Sequence, residues 1–341
     1  MTHIAFSLTL SLLSIFSFSA SQAESSVAAY NRNTPRVASL SNGDRTLAVK
    51  TDTSSKDVKT MAFYLQNGVE VLDFAGPMEV FAYAGYKIFT VSKTKDPIIS
   101  QGILKILPDY DLSDAPDADV LVFFGGNSGS AFADKDLINW VKNRKNVKYH
   151  FSVCTGAFML AGAGILDGLK ATTFHNSLDD LQQGFPKIEV LREARFVDNG
   201  KVITTAGISA GIDGALHMVA KLQGLAEAKR VAYIMEYDNW VPGNGITSGD
   251  NPYLNRSTEN DFLEYFGNYQ FLNAGGLIIE KGTKGGELTA VVNGKKTPLF
   301  MEKKDRFYTG DRKYVVFQRD SNQKIIGYSL EENGMIYKRK P

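Results

Sequence analysis

The chain has 341 residues, 43% of them hydrophobic and 22% charged, which is enough for a globular protein of about two domains with a sizeable core. Its 38 Lys and Arg stand against 37 Asp and Glu, a formal net charge of +1, which excludes broad electrostatic attraction to nucleic acid or anionic lipid. With 1 cysteine, no disulfide can form within the chain.

Met1 to Ala23 reads as a secretory signal, in which an uncharged apolar run from Ile4 to Ala20 is followed by Ser21-Gln22-Ala23. The protein is therefore expected to be exported, periplasmic or extracellular, with no stable membrane insertion once the segment is cut. As an uncleaved anchor the run is marginal in length and lacks flanking Lys or Arg. Residues 24–59 are rich in Ser, Thr, Asn, Asp and Lys without an apolar period, which predicts a flexible tether.

Met61 to Leu65 is a short apolar run, and after Gly76-Pro77 the residues Met78, Phe81 and Ala82 follow at helical spacing, with Pro77 fitting the first turn. Lys87 to Val91, Ile103 to Leu107 and Asp119 to Phe124 read as strands, the last ending in Gly125-Gly126. A helix over 134–143 and a strand over 147–153 follow, and that strand turns at Cys154 into a helix reaching about Ala163. Asp198-Asn199-Gly200 signals a hairpin, and 209–222 and 226–237 are helical. Strands alternating with helices predict an α/β sandwich with a mostly parallel sheet covered on both faces and its sites at the carboxyl ends of the strands. The domain occupies 60–240, residues 241–259 read as a linker, and the turn-punctuated runs of 260–341 predict a small antiparallel β module.

Three elements converge at the carboxyl edge of such a sheet: Asp73, Gly125-Gly126-Asn127, and Cys154-Thr155. A thiol at a strand-to-helix junction meets unpaired N–H groups and the positive end of a dipole, which lower its pKa and offer donors to an anion. Each residue also has a plain reading: Cys154 as a small buried hydrophobe, Asp73 as a helix cap, the glycines as a turn.

The ordered motifs Leu72-Asp73-Phe74-Ala75-Gly76-Pro77, Phe124-Gly125-Gly126, Ser152-Val153-Cys154-Thr155-Gly156-Ala157, Gly164 to Thr173 and Thr205 to Asp213 resemble the ThiJ/PfpI superfamily, and within it the isonitrile hydratase-like group. The resemblance covers roughly Met61 to Tyr237. It implies a flavodoxin-like three-layer sandwich, a homodimer, and a small-molecule substrate handled without metal or organic cofactor. It also implies Cys154 as nucleophile on an elbow, Asp73 as its acidic partner and proton shuttle, and Thr155 beside them in the active site. The backbone N–H groups of Gly126 and Thr155 would stabilise the anion. A carboxylate beside a thiolate repels it, so the pair works best sharing one proton.

Protease-like members of the superfamily carry His directly after the Cys, where this chain has Thr155, which argues against peptidase activity. His175, with Asn127 a possible substrate contact, is either a loop histidine of the pocket or a surface residue. His217 on its apolar helix face reads as packed or partly exposed, and Asp213 as structural. The tail, with Tyr265, Tyr269 and Phe307 as expected core, resembles the small β module that follows secreted serine β-lactamase-like hydrolase domains. Two classes of function remain. One is a cysteine-dependent hydratase or hydrolase, best matched by isonitrile hydration, with glyoxalase or deglycase chemistry as the alternative enzyme. The other is a non-catalytic ligand-binding or redox-sensing domain, since the sandwich also resembles the sensing half of AraC-type regulators. This chain has a β module where those regulators carry their DNA-binding helices, so no nucleic-acid partner is expected.

Overall fold

Met61 and Phe63 of β1 (Thr60–Tyr64) join one hydrophobic core while Ala62 and Tyr64 join another. A strand dry on both faces belongs inside a parallel sheet, and β4 (Val120–Phe123) is buried at every position in the same way. The computed structural model describes residues 58–341 except 128, 130, 249–250, 255–256 and 272–274. The expected signal segment and nearly all of the expected tether lie outside the described residues.

Between and after these strands come α1 (Val71–Tyr83), β2 (Lys87–Ser92), β3 (Tyr110–Asp111), α2 (Lys135–Asn143), β5 (Tyr149–Val153), α3 (Ala157–Gly162) and α4 (Leu178–Gly184). They are followed by β6 (Phe196–Asp198), β7 (Val202–Thr205), α5 (Ala210–Gln223), α6 (Leu225–Ile234) and β8 (Ile246–Thr247). The sheet runs in the order β8-β6-β7-β5-β4-β1-β2-β3, and only the β6–β7 hairpin is antiparallel. Helices α1, α5 and α6 cover one face through Phe81, Leu216 and Val231, and α2, α3 and α4 the other through Leu137, Leu160 and Leu181. This is the flavodoxin-like sandwich expected from the alternation.

Three local readings change. Helix α1 begins at Val71, so Asp73 lies in its first turn and Pro77 in its interior, where the helix forgoes one backbone bond. That stretch is shaped by close packing: a Cβ on Gly76 would stand 2.8 Å from Ile212 Cγ1, and one on Gly211 3.4 Å from Pro77 Cγ, so α1 and α5 touch through small residues. Leu104–Ile106 pairs with Ile98–Ser100 in a separate hairpin outside the main sheet, leaving Ile103 80% exposed. Within the segment read as a linker, Ile246–Thr247 pairs in parallel with β6. The packed reading of His217 holds: it is fully buried, stacked on Phe196 and bonded through Nε2 to Asp198 (2.9 Å) and through Nδ1 to the Tyr253 hydroxyl (2.9 Å).

The second sheet is an antiparallel meander of β9 (Gly267–Phe271), β10 (Gly275–Lys281), β11 (Leu288–Val292), β12 (Lys295–Lys303), β13 (Arg306–Tyr308), β14 (Tyr314–Arg319), β15 (Ile325–Ser329) and β16 (Tyr337–Lys338). Lys340 N–H donates to Asn268 O (2.8 Å), which brings the last residues back to β9 and curls the sheet toward a barrel. Tyr265, Tyr269 and Phe307 lie in its core, as expected. The sheet is docked on α6 by a buried ion pair, Glu227 with Arg230 (2.6 Å), which Arg312 joins from the module (2.6 Å).

Candidate active site

The thiol sits where β5 stops. Cys154 N–H still donates to Ala206 O of the neighbouring chain segment (3.1 Å), but its own φ is 57°, and a 3-10 turn, Cys154–Gly156, leads into α3. A non-glycine residue in that left-handed region costs about 1–3 kcal/mol, which the surrounding packing must hold. Two glycines let it do so. A Cβ on Gly156 would lie 2.4 Å from Phe123 O, and one on Gly125 2.7 Å from Thr155 N, so the loop after β4 closes directly on the elbow.

Asp73 is brought to the same point from the first turn of α1 and is fully buried. It does not cap its own helix. Its Oδ2 accepts from Gly125 N–H (2.9 Å) and its Oδ1 from Ile208 N–H (3.1 Å), and the Cys154 thiol bonds to the same carboxyl. Among the described residues no cation joins this group. Burial pushes Asp73 up to about 7, with the negative charge of Glu70 adding to it, while the two amides and the thiol pull the other way.

Cys154 is itself pushed up to about 12, first by burial and then by the charge of Asp73, while the Thr155 N–H on its sulfur works in the opposite direction. The lowered thiol expected at a strand-to-helix junction is therefore corrected. Helix α3 is 6 residues long, and burial beside a carboxylate outweighs its end. Two groups this close titrate as one pair, which holds two protons below about pH 7 and a single proton above it.

Thr155 is half-buried beside the sulfur, and its hydroxyl lies 3.5 Å from Gly126 O. Gly126 is exposed with φ 101°, and a Cβ there would strike Gly68 O at 2.2 Å. Asn127 is exposed and ties the loop down through its N–H to Gly68 O (2.9 Å). His175 is exposed just after Thr173 and Phe174, its ring centroid 4.3 Å from that of Phe174. Asp213 pairs with Arg195, as its structural reading required.

Sequence reasoning missed three contributors. Thr173 Oγ1 donates to Cys154 O (2.7 Å) and steadies the elbow; Gln66 Nε2 donates to Phe124 O (3.0 Å) and Gly125 O (3.2 Å) beneath the loop. Ile208 has φ 52°, a conformation a β-branched residue rarely takes, and it supplies the second amide on Asp73. Ile208 did stand inside a quoted motif, but nothing in that motif announces a left-handed isoleucine.

The family profile described as DJ-1/PfpI family matches residues 59–221. The isonitrile hydratase of Pseudomonas putida is 33% identical over 180 residues, which span 52% of this chain and 78% of the hydratase. The HTH-type transcriptional regulator CdhR of Pseudomonas aeruginosa is 28% identical over 178 residues, about half of each chain. Among solved structures, a ThiJ/PfpI family protein from Pseudomonas syringae aligns with a TM-score of 0.50 at 33% identity, covering 59% of this chain and 85% of that one. On these matches, and on the doubly covered parallel sheet, the chain belongs to the DJ-1/PfpI family.

Proposed function

We propose that this protein is an exported cysteine-dependent hydratase or hydrolase of a small molecule, and that isonitrile hydration is the reaction its residues fit best. The observation that carries the reading is the buried Cys154–Asp73 pair with no cation beside it. Such a pair suits proton transfer in step with nucleophilic attack. Ionised Asp73 takes the thiol proton as sulfur adds to the terminal carbon of R–N≡C, and passes that proton to the same carbon, forming a thioimidate. Water then adds to the thioimidate carbon, its proton reaching nitrogen through Asp73. The adduct collapses to R–NH–CHO and the hydroxyl proton returns to sulfur. The sum is one isonitrile and one water giving one formamide. The amides of Gly126 and Thr155 hold the negative charge that develops on the way.

Export is supported by the apolar segment from Ile4 to Ala20. A redox-sensing role fits less well, because sensor thiols are exposed and acidic while Cys154 is neither. A ligand-binding role without turnover is favoured by the similarity to the regulator CdhR. The purified protein assayed against an alkyl isonitrile, methylglyoxal and a peptide panel separates these readings, with Cys154→Ser as control. Formamide production that disappears with Cys154→Ser is expected. Turnover that survives the change sinks the mechanism, and saturable binding without turnover selects the binder.

A further inference from the structure

The amide that Ile208 gives to Asp73 comes from a turn that has every reason to relax. Ile208 is β-branched, left-handed (φ 52°) and 37% exposed, a conformation that its own side chain disfavours. Two neighbours hold it there. On one side the Phe174 ring lies over Gly207, where a Cβ would stand 2.5 Å from Phe174 Cδ2. On the other side stands Arg195, in the next segment of the sheet edge: Cys154 N–H donates to Ala206 O (3.1 Å), and Ala206 N–H donates to Arg195 O (2.9 Å). The Arg195 guanidinium bonds Asp213 through Nε and reaches the Ser209 hydroxyl (3.4 Å). The Tyr237 hydroxyl joins the same two charged groups. Asp213 is nine-tenths buried on α5, so the clasp is anchored in the helix that packs against α1, the helix carrying Asp73.

We propose that Arg195 is a positioning residue for the Cys154–Asp73 pair: clasped between Asp213 and Ser209, it holds residues 207–209 so that the Ile208 amide stays on Asp73 Oδ1. The proposal rests on the reading of Asp73 as the proton carrier. It deepens that reading by making the acid's proton affinity depend on a side chain whose own bonds go to Asp213 and Ser209, not to Asp73 or Cys154. The titratable groups facing Asp73 are Cys154 from the elbow and Glu70 from the start of α1; the Gly125 loop and the Ile208 turn present only amides. An amide donor favours the ionised carboxylate, so its loss raises the pH at which the pair gives up its proton.

The test uses the full chain and two readouts: the pH profile of kcat/KM, and the pH profile of Cys154 alkylation by iodoacetamide. The second needs no substrate and is unambiguous, because the chain has 1 cysteine. Arg195→Ala and Asp213→Asn are each expected to move the lower inflection of both profiles up by about one pH unit, the size expected for one lost hydrogen bond to a charged group. Glycine accepts a positive φ without strain and keeps the backbone amide, so in Ile208→Gly the profiles no longer depend on the clasp. Added to Arg195→Ala, it is expected to bring them back, a rescue that a purely structural Arg195 does not produce. Folded Arg195→Ala protein with the wild-type alkylation profile overturns the proposal, and so does a shift that Ile208→Gly fails to reverse. Should Arg195→Ala not fold, Arg195→Lys and Asp213→Asn decide by the same criterion. Absence of turnover on every substrate tells against the enzymatic reading alone, because the alkylation profile still judges the clasp.

Discussion

Two aspartates, one at each sheet, come out opposite: Asp73 is fully buried and Asp305 is part-buried. Asp305, in the C-terminal module, faces Arg319, which donates to it through Nε (3.0 and 2.9 Å) and Nη2 (2.8 Å), and the Tyr265 hydroxyl adds a fourth bond (2.9 Å). Burial raises its carboxyl, but Arg319 and Tyr265 more than offset this and hold it below the usual carboxylate range. Asp73 has two backbone amides, a thiol and no cation, and it is pushed up to about 7. The contrast separates a carboxylate that builds structure from one placed to exchange a proton: the deciding feature is whether a cation shares the burial. Asp198 sorts with Asp305 although it lies in the sandwich, since Lys221 (2.6 Å) and His217 (2.9 Å) share its site and hold it low.

The largest expected effect breaks the comparison most directly if it fails. Asp73→Asn should lower kcat by about a hundredfold or more, within the range for a lost general acid or base, while Asp305→Asn leaves kcat near wild type. Equal losses from the two variants in steady-state assays would mean that both aspartates act only through the fold.

Stability against pH should diverge next. A carboxyl raised to about 7 when folded stabilises the native state fully below its ordinary value of 3.8, and this is lost as pH climbs to 7. Asp73→Asn should therefore gain on wild type by about 2–4 kcal/mol between pH 4 and pH 8 in urea unfolding. Asp305, held low, stabilises above the ordinary carboxylate range and loses this as pH falls, so Asp305→Asn should trail wild type by about 2 kcal/mol at pH 7 and by less at pH 3. Parallel pH trends for the two variants would undo the distinction between them.

The smallest effect sharpens the pair itself. At pH 8 Cys154 should react with iodoacetamide at least about tenfold more slowly than a small free thiol, and Asp73→Asn should speed the reaction a few-fold by removing the neighbouring charge. An unchanged rate in Asp73→Asn would show that burial alone governs the sulfur.

Much of this was legible in the sequence because the information was local. The continuous apolar runs at Met61–Tyr64 and Val120–Phe123 and the helical spacing after them suffice for a covered parallel sheet, and the ordered motifs suffice to bring Asp73, Gly125-Gly126 and Cys154 to one edge. What escaped depends on approach in space. The junction after Val153 advertises a helix end, but the direction of the thiol shift is decided by the depth at which Asp73 meets it. Gly76-Pro77 looks like a helix start, yet those residues are small because α5 presses against them. Ile103 to Leu107 has a strand's composition and lies outside the main sheet, and Ile246–Thr247 is too short to show a period at all.

That last pair has a consequence for how copies of this protein can meet. Ile246–Thr247 at one end of the main sheet and Tyr110–Asp111 at the other make both outermost ribbons 2 residues long. Long bare edges are the usual templates on which one chain adds strands to another. Here the sandwich ends in stubs, so its eight strands do not invite growth of the ladder from chain to chain.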